Sequence, residues 1–284
     1  MNVPKSPPVP PSLPYELEIG AGVQRAKQLV RRAIARATGH LGPVIRVETA
    51  AAAVALTFDD GPDPARTPRL LDLLERHGAR ATFFMVGANA LRHPELVARI
   101  AGGGHAVANH SWDHSSFRWL GAHQEREQLE RCERALAPHG SRLFRPPFGE
   151  LPLATLRRIE RSGWLSVCWD VVAEDWRDHD AGWIGGRVLR RLRRGSIVLM
   201  HDTLEVAEEA RYVDRAPLLE ALDRLLGTTL RGYRSITVPE LLRLGRPVRW
   251  PWLHRLPRDY HRRLLRPRIA AETAASSGAP RPSP

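Results

Sequence analysis

Residues 53–62 read AVALTFDDGP, an apolar run that ends in two adjacent carboxylates and a Gly-Pro turn. The run Ala53–Phe58 predicts a strand, and the turn residues behind it predict where the strand stops. Further on, Thr67 is placed to cap a helix that opens with Pro68 and stops at Gly78, and Ala81–Val86 is a second apolar run. Together these segments make a β-α-β unit. The alternation continues with a helix around 94–100, a strand near 105–108, a long helix around 124–137 and a strand into Phe144. A helix from Ala154, a strand over 165–169, a helix near 184–193, a strand over 197–200, a helix over 216–226 and a short strand and helix within 235–244 follow. Six or seven such units in series predict an α/β fold, a parallel sheet covered by helices and either doubly wound or closed into a barrel.

Four polar clusters follow predicted strands, the end at which α/β enzymes place their working groups. Asp59 and Asp60 close the first strand. The segment His110-Ser111-Trp112-Asp113-His114 sets two imidazoles four apart, the spacing of one face of a helical turn. With Asp60 they make an Asp-His-His set that can hold a metal and leave one position for water. In Phe144-Arg145-Pro146-Pro147-Phe148-Gly149 the prolines fix the backbone and leave the Phe148 amide to face a developing oxyanion. The last cluster joins Asp175-Trp176 with IVLMHD at 197–202, where an apolar strand delivers His201 to its end. Taken singly, each cluster has a plainer reading as a solvated turn, a capped helix start or a loop histidine. Their order and spacing do not.

In that order and spacing the chain resembles the polysaccharide deacetylase family, the NodB-homology domain of the family 4 carbohydrate esterases, from about Ala51 to Leu244. TFDDGP stands intact at 57–62, H-S/T-x-x-H at 110–114, R-x-P-x-G at 145–149 and L-x-H at 199–201. The D-x-x-D-W motif is incomplete, because Val172 replaces its first Asp while Asp175 and Trp176 are kept. The resemblance implies a distorted (β/α) barrel and metal-dependent removal of an N- or O-acetyl group from an amino-sugar glycan or its precursor. It implies Asp60, His110 and His114 as ligands of a divalent ion, zinc foremost, with cobalt or nickel as alternatives. Asp59 is then the general base, held by Arg145, and His201 the acid, tuned by Asp175. The Phe148 amide meets the oxyanion, and Trp176 and Leu199 line the acetyl pocket. Two rival readings keep the fold. One is an amide hydrolase, a deformylase or non-sugar amidase, using the same site; the other is a non-catalytic glycan-binding or membrane-associated protein, which the loss of the motif Asp at 172 makes conceivable.

The chain of 284 residues carries a net charge of +12, and the charge sits at its ends. Seven Lys or Arg face three acids in residues 1–50 and nine face two in 245–284, which leaves the middle at +1. A nucleic-acid enzyme carries its positive field around the working cleft, so nucleic acid is not the expected substrate. An anionic membrane surface is the partner that suits such flanks. We expect a Pro-rich tail at 1–22, a basic amphipathic helix and lead-in at 23–50, one catalytic domain at 51–244 and an Arg/Trp-rich tail at 245–284. Within 245–268 of that tail Trp250, Trp252 and Tyr260 stand among eight arginines. Cys132 and Cys168 are too few for a disulfide scaffold. The first twenty residues contain no apolar leader, and no run approaches the length of a membrane span, so the expected setting is cytoplasmic or peripheral to the membrane.

Overall fold

The computed structural model describes residues 42–207 and 209–250. Its strands are β1 (Val44–Glu48), β2 (Ala53–Asp59), β3 (Ala81–Met85), β4 (Ala106–Asn109), β5 (Gly140–Phe144), β6 (Leu165–Ser166), β7 (Val171–Val172), β8 (Ile197–His201), β9 (Arg234–Ser235) and β10 (Arg246–Arg249). Seven of them form one parallel path in the order β6-β5-β4-β3-β2-β8-β7, and β9 pairs with the start of β2. Helices follow the strands on the outside, as the expected distorted (β/α) barrel requires. Unpaired ends of the path do not meet. Instead β1 crosses the opening, with a bridge from Val44 to Val167 beyond β6 and another from Arg46 to Ser196 before β8. The strand β10 pairs antiparallel with β1. This two-stranded sheet lies just outside the 51–244 span on either side.

All seven residues of β2 are buried, and the strand's period of two divides them between two cores. Leu56 and Phe58 face outward and pack under the helices with Leu70, Leu74, Phe83 and Met200. Ala53 and Ala55 face inward among Phe84, Phe144, Ile197 and Leu199. Their small side chains leave the barrel interior to the large residues of its neighbours. The same alternation brings Thr57 and Asp59 to the inner face at the carboxyl end. It does the same for His201, which β8 holds directly beside Asp59. The two residues reach one spot because parallel strands in register carry equivalent positions to the same side.

Three local expectations change in detail. The helix Thr67–Arg76 begins one residue early, with Arg66 at its N-cap, because the Thr67 hydroxyl is taken by a carboxylate elsewhere in the fold. The strand expected over 165–169 stops at Ser166, since Cys168 N donates to Val44 O and the backbone leaves β5 for β1. The helix expected near 184–193 spans Ala181–Leu189, capped by Asp180, whose carboxylate accepts from Trp183 N at 2.7 Å. Trp250, the first aromatic residue of the C-terminal tail, is 4% exposed and packs into the inner core. Residues 23–41 of the expected basic helix and lead-in, together with Trp252 and Tyr260, lie outside the described residues. Among the described residues no helix is long and apolar enough to cross a membrane.

Candidate active site

The carboxyl end of β2 turns sharply at Asp60, whose φ of 81° lies in the left-handed region. That bend brings the second carboxylate round to the side of the first. The Asp60 Oδ2 accepts from Glu205 N at 2.9 Å. Its Oδ1 has no hydrogen-bond donor and lies 3.2 Å from His114 Nε2 and 3.4 Å from His110 Nε2. A carbonyl oxygen can only accept, so the 2.8 Å contact of His110 Nδ1 with Arg145 O fixes the proton on Nδ1 and leaves Nε2 as a lone pair. All three side chains are buried, and the three donor atoms lie within 4.8 Å of one another. Burial pushes the Asp60 carboxyl up, but the His114 and His110 imidazoles, when protonated, outweigh it and hold the group well below the usual carboxylate range, the influence that a bound cation would exert in their place.

No helical turn sets the His110–His114 spacing. Strand β4 ends at Asn109, and the next five residues form a loop with left-handed bends at Ser111 (φ 70°) and His114 (φ 61°). The polar residues of the loop shape it. Asn109 Oδ1 accepts from Ser111 N at 2.8 Å, and Ser111 Oγ accepts from His114 N at 3.0 Å. From outside, Gln128 Oε1 accepts from Trp112 N at 2.8 Å. The imidazoles converge because these hydrogen bonds curl the loop, not because the backbone is helical.

Two nitrogens and one carboxylate oxygen, buried and aimed at one point with an orphaned acceptor among them, fit a divalent cation. The donor set suits zinc, which takes histidine nitrogen and carboxylate oxygen in catalytic sites with three protein ligands. An unfilled site of this kind would leave Asp60 Oδ1 desolvated with no donor.

Asp59 is paired with Arg145, whose side chain is wholly buried, at 2.6 Å. The guanidinium also donates to Thr57 Oγ1 at 2.7 Å and to the carbonyls of Val167 and Cys168, and lies 4.0 Å from the centre of the Phe84 ring. Thr57, the residue of the first motif with no role assigned from sequence, is thus a second anchor for the arginine. Asp59 Oδ2 stands 3.8 Å from His110 Nε2, so this carboxylate adjoins the three candidate metal donors.

Beside Asp59 on β8, His201 Nδ1 lies 3.1 Å from Asp175 Oδ1, and the His201 backbone N donates to Asp175 Oδ2 at 2.9 Å. Burial alone would lower the His201 pKa, but the carboxylates of Asp175, Asp60 and Asp59 raise it to about 9. Asp175 is itself held below its usual range despite burial, by His201 and by Arg215. The Trp176 ring meets His201 edge-on at 5.3 Å, Leu199 is buried directly below, and the Phe148 ring lies edge-on to His114 at 4.5 Å. Phe148 itself takes a left-handed φ of 57° between Pro147 and Gly149. Val172, in place of the motif Asp, is fully buried in β7 beside Leu199, with its carbonyl accepting from Arg187 Nε at 3.2 Å.

Besides Thr57, sequence reading missed three residues that hold this site. Arg215 Nη1 donates to Asp175 Oδ2 at 3.2 Å from the head of the helix Ala216–Gly227. Glu205 supplies the amide on Asp60. Asp202 accepts from Gly61 N at 3.0 Å and from the Thr67 hydroxyl at 2.5 Å, clamping the turn after Asp60 to the next helix. A Cβ on Gly61 would come within 2.1 Å of the Asp202 carboxylate, so the glycine is required by this clamp. Burial pushes the Asp202 pKa up to about 7. Asp202 carried a weak signal, an acid immediately behind a buried strand; Arg215 and Glu205 carried none.

A barrel with a buried Asp-His-His cluster, and a carboxylate and an imidazole next to it on adjoining strands, defines a metal-dependent hydrolase of the carbohydrate esterase type. The polysaccharide deacetylase family model matches residues 46–165. A chitooligosaccharide deacetylase of Sinorhizobium fredii is 40% identical over 195 residues, which cover 66% of this chain and 90% of that protein. The crystal structure of the Bc1960 peptidoglycan N-acetylglucosamine deacetylase superimposes with a TM-score of 0.64 at 31% identity, covering 72% of this chain and 94% of that one. A family 4 pseudoenzyme of Bacillus anthracis superimposes with a TM-score of 0.63 at 27% identity, over 72% and 70% of the two chains. The chain belongs to the polysaccharide deacetylase family. Because the same barrel also serves a pseudoenzyme, it is the residues of the site that carry the argument for activity.

Proposed function

We propose that this metal-dependent amino-sugar deacetylase hydrolyses N-acetyl groups on an oligo- or polysaccharide with Asp59 as general base and His201 as general acid. The observation that carries this reading is the orphaned Asp60 Oδ1 within 3.4 Å of the Nε2 atoms of His110 and His114, with Asp59 and His201 side by side on the adjoining strands. Asp60, His110 and His114 would hold a divalent ion, which when bound would supply Lewis-acid polarisation of the acyl carbonyl and a more acidic water. Asp59 takes the proton of the attacking water, and its pairing with Arg145 keeps it ionised and aimed. His201, with Nδ1 turned to Asp175, offers Nε2 to the leaving amine. The Phe148 amide is our choice for the oxyanion, and Trp176 with Leu199 for the acetyl methyl. The names of the relatives make chito-oligosaccharide and peptidoglycan the two substrates to try first. Attachment of the basic flanks to an anionic membrane is a further part of this reading and rests on their charge. The test is acetate release from N-acetylated chito-oligosaccharides and from peptidoglycan, with zinc returned to chelated protein. Release that zinc restores supports the reading, and loaded protein that releases none from either substrate overturns it.

The acid side makes a separate prediction about pH. His201 must be protonated to act, so activity is expected to fall as pH rises through its pKa, below about 9 once a cation is bound nearby. Asp175→Asn removes the largest influence that raises this pKa, and the basic limb of kcat/KM should move to lower pH. Arg215→Met removes a cation that shares the same carboxylate, and the limb should move the opposite way, by about one pH unit. Opposite shifts at unchanged zinc content would establish the Arg215–Asp175–His201 chain. Unshifted limbs in both variants would mean that another group is the acid.

A further inference from the structure

Four large hydrophobic side chains are exposed among the described residues, and one of them, Trp119, is aromatic and 51% exposed. It lies in the loop that continues from His114. Holding an indole in water is costly, so the way this one is held matters. The Arg118 guanidinium lies 5.0 Å from the centre of the Trp119 ring, and Arg118 is in turn ion-paired at 3.6 Å with Glu150, which is 1% exposed. The other Glu150 oxygen accepts from Ser116 Oγ at 2.7 Å, and Trp119 N donates to Ser116 O at 3.2 Å. Glu150 follows Phe148 and Gly149, and the Phe148 ring packs on His114. A buried carboxylate therefore locks the Trp119 loop to the loop that walls the metal cluster, and an arginine pinned by that carboxylate lies against the indole.

We propose that Trp119 is a stacking platform for a pyranose ring of the glycan, at least one sugar removed from the residue being deacetylated. The proposal rests on the amino-sugar deacetylase reading and adds to it an extended substrate, bound along the rim formed by residues 115–121 and 148–153. A flat indole offers area to the C–H face of a sugar, and a ring fixed in advance loses little entropy on binding. Arg118, whose guanidinium lies over the ring, backs the platform and adds donors suited to sugar hydroxyls.

The experiment compares wild type, Trp119→Ala and Trp119→Phe on N-acetylated chito-oligosaccharides of two to six units, with zinc content measured for each protein. For the hexamer, Trp119→Ala is expected to raise KM about tenfold at nearly constant kcat, the effect of losing about 1.4 kcal/mol of binding. The dimer should be unaffected, and Trp119→Phe should keep most of the affinity for the hexamer. Equal effects on every length, or no effect on any, would overturn the proposal. Binding of the hexamer to metal-free protein, read from tryptophan fluorescence, gives a readout independent of turnover. Quenching that Trp119→Ala abolishes supports the platform even where no acetate is released, and quenching that persists unchanged overturns it.

Discussion

Replacing His114 by alanine is expected to leave a folded protein that no longer retains zinc through chelation and dialysis, with acetate release lowered by about three orders of magnitude or more. The side chain lies in a loop already shaped by Asn109, Ser111 and Gln128, none of which uses the imidazole, so its loss does not unravel the wall. What it removes is one of three donors around Asp60 Oδ1, and two donors cannot hold a catalytic ion. The rate follows, since the ion supplies several kcal/mol of transition-state stabilisation. Asp59→Asn should separate the two functions. It keeps a side chain of the same shape on the same strand and leaves all three donors in place, so zinc is retained while turnover collapses. Metal content by mass spectrometry and turnover, measured together, check both. A His114→Ala protein with full zinc and full activity would remove the metal assignment, and an active Asp59→Asn protein would move the base elsewhere.

Arg145→Met is expected to be the most destabilising single change in the site. The arginine is fully buried and the only cation within hydrogen-bond reach of Asp59 among the described residues. Removing one member of a buried ion pair leaves the other desolvated and unpaired, at a cost of about 3–5 kcal/mol. For a folded unit of this size that lowers the melting temperature by roughly 6–20 °C. Methionine fills most of the volume, so the loss is chiefly electrostatic, with Thr57 Oγ1 and two carbonyls losing a donor as well. The double variant Arg145→Met/Asp59→Asn should recover a large part of the stability and none of the activity, because it removes the orphaned charge along with the base. Thermal melts of the two single variants and the double variant decide it. Additive losses in the double variant would mean that the pair is not coupled.

Much of this molecule is legible in one dimension because its determinants are local. An apolar run of six residues ending at Asp59, repeated after each helix, is enough to dictate strands in parallel, and the pleat then decides which residues share a face. That rule alone puts Asp59 and His201 together once their strands are neighbours. Where side chains must turn, the local pattern runs out. His110 and His114 have a helical spacing, yet the loop is curled by left-handed bends at Ser111 and His114 that no propensity announces. The ligands of the ligands are more distant still. Asp60 is held by Glu205, Gly61 by Asp202 and Asp175 by Arg215, pairs separated by 40 to 145 residues. A buried charge accepts any partner that can reach it, so its identity depends on how the barrel closes rather than on spacing along the chain. The closure has the same character. β1 and β10 stand at opposite ends of the described chain, and neither is marked as a strand in the sequence. They pair because the unmet edges of the sheet leave a gap that a backbone with free donors and acceptors can cover.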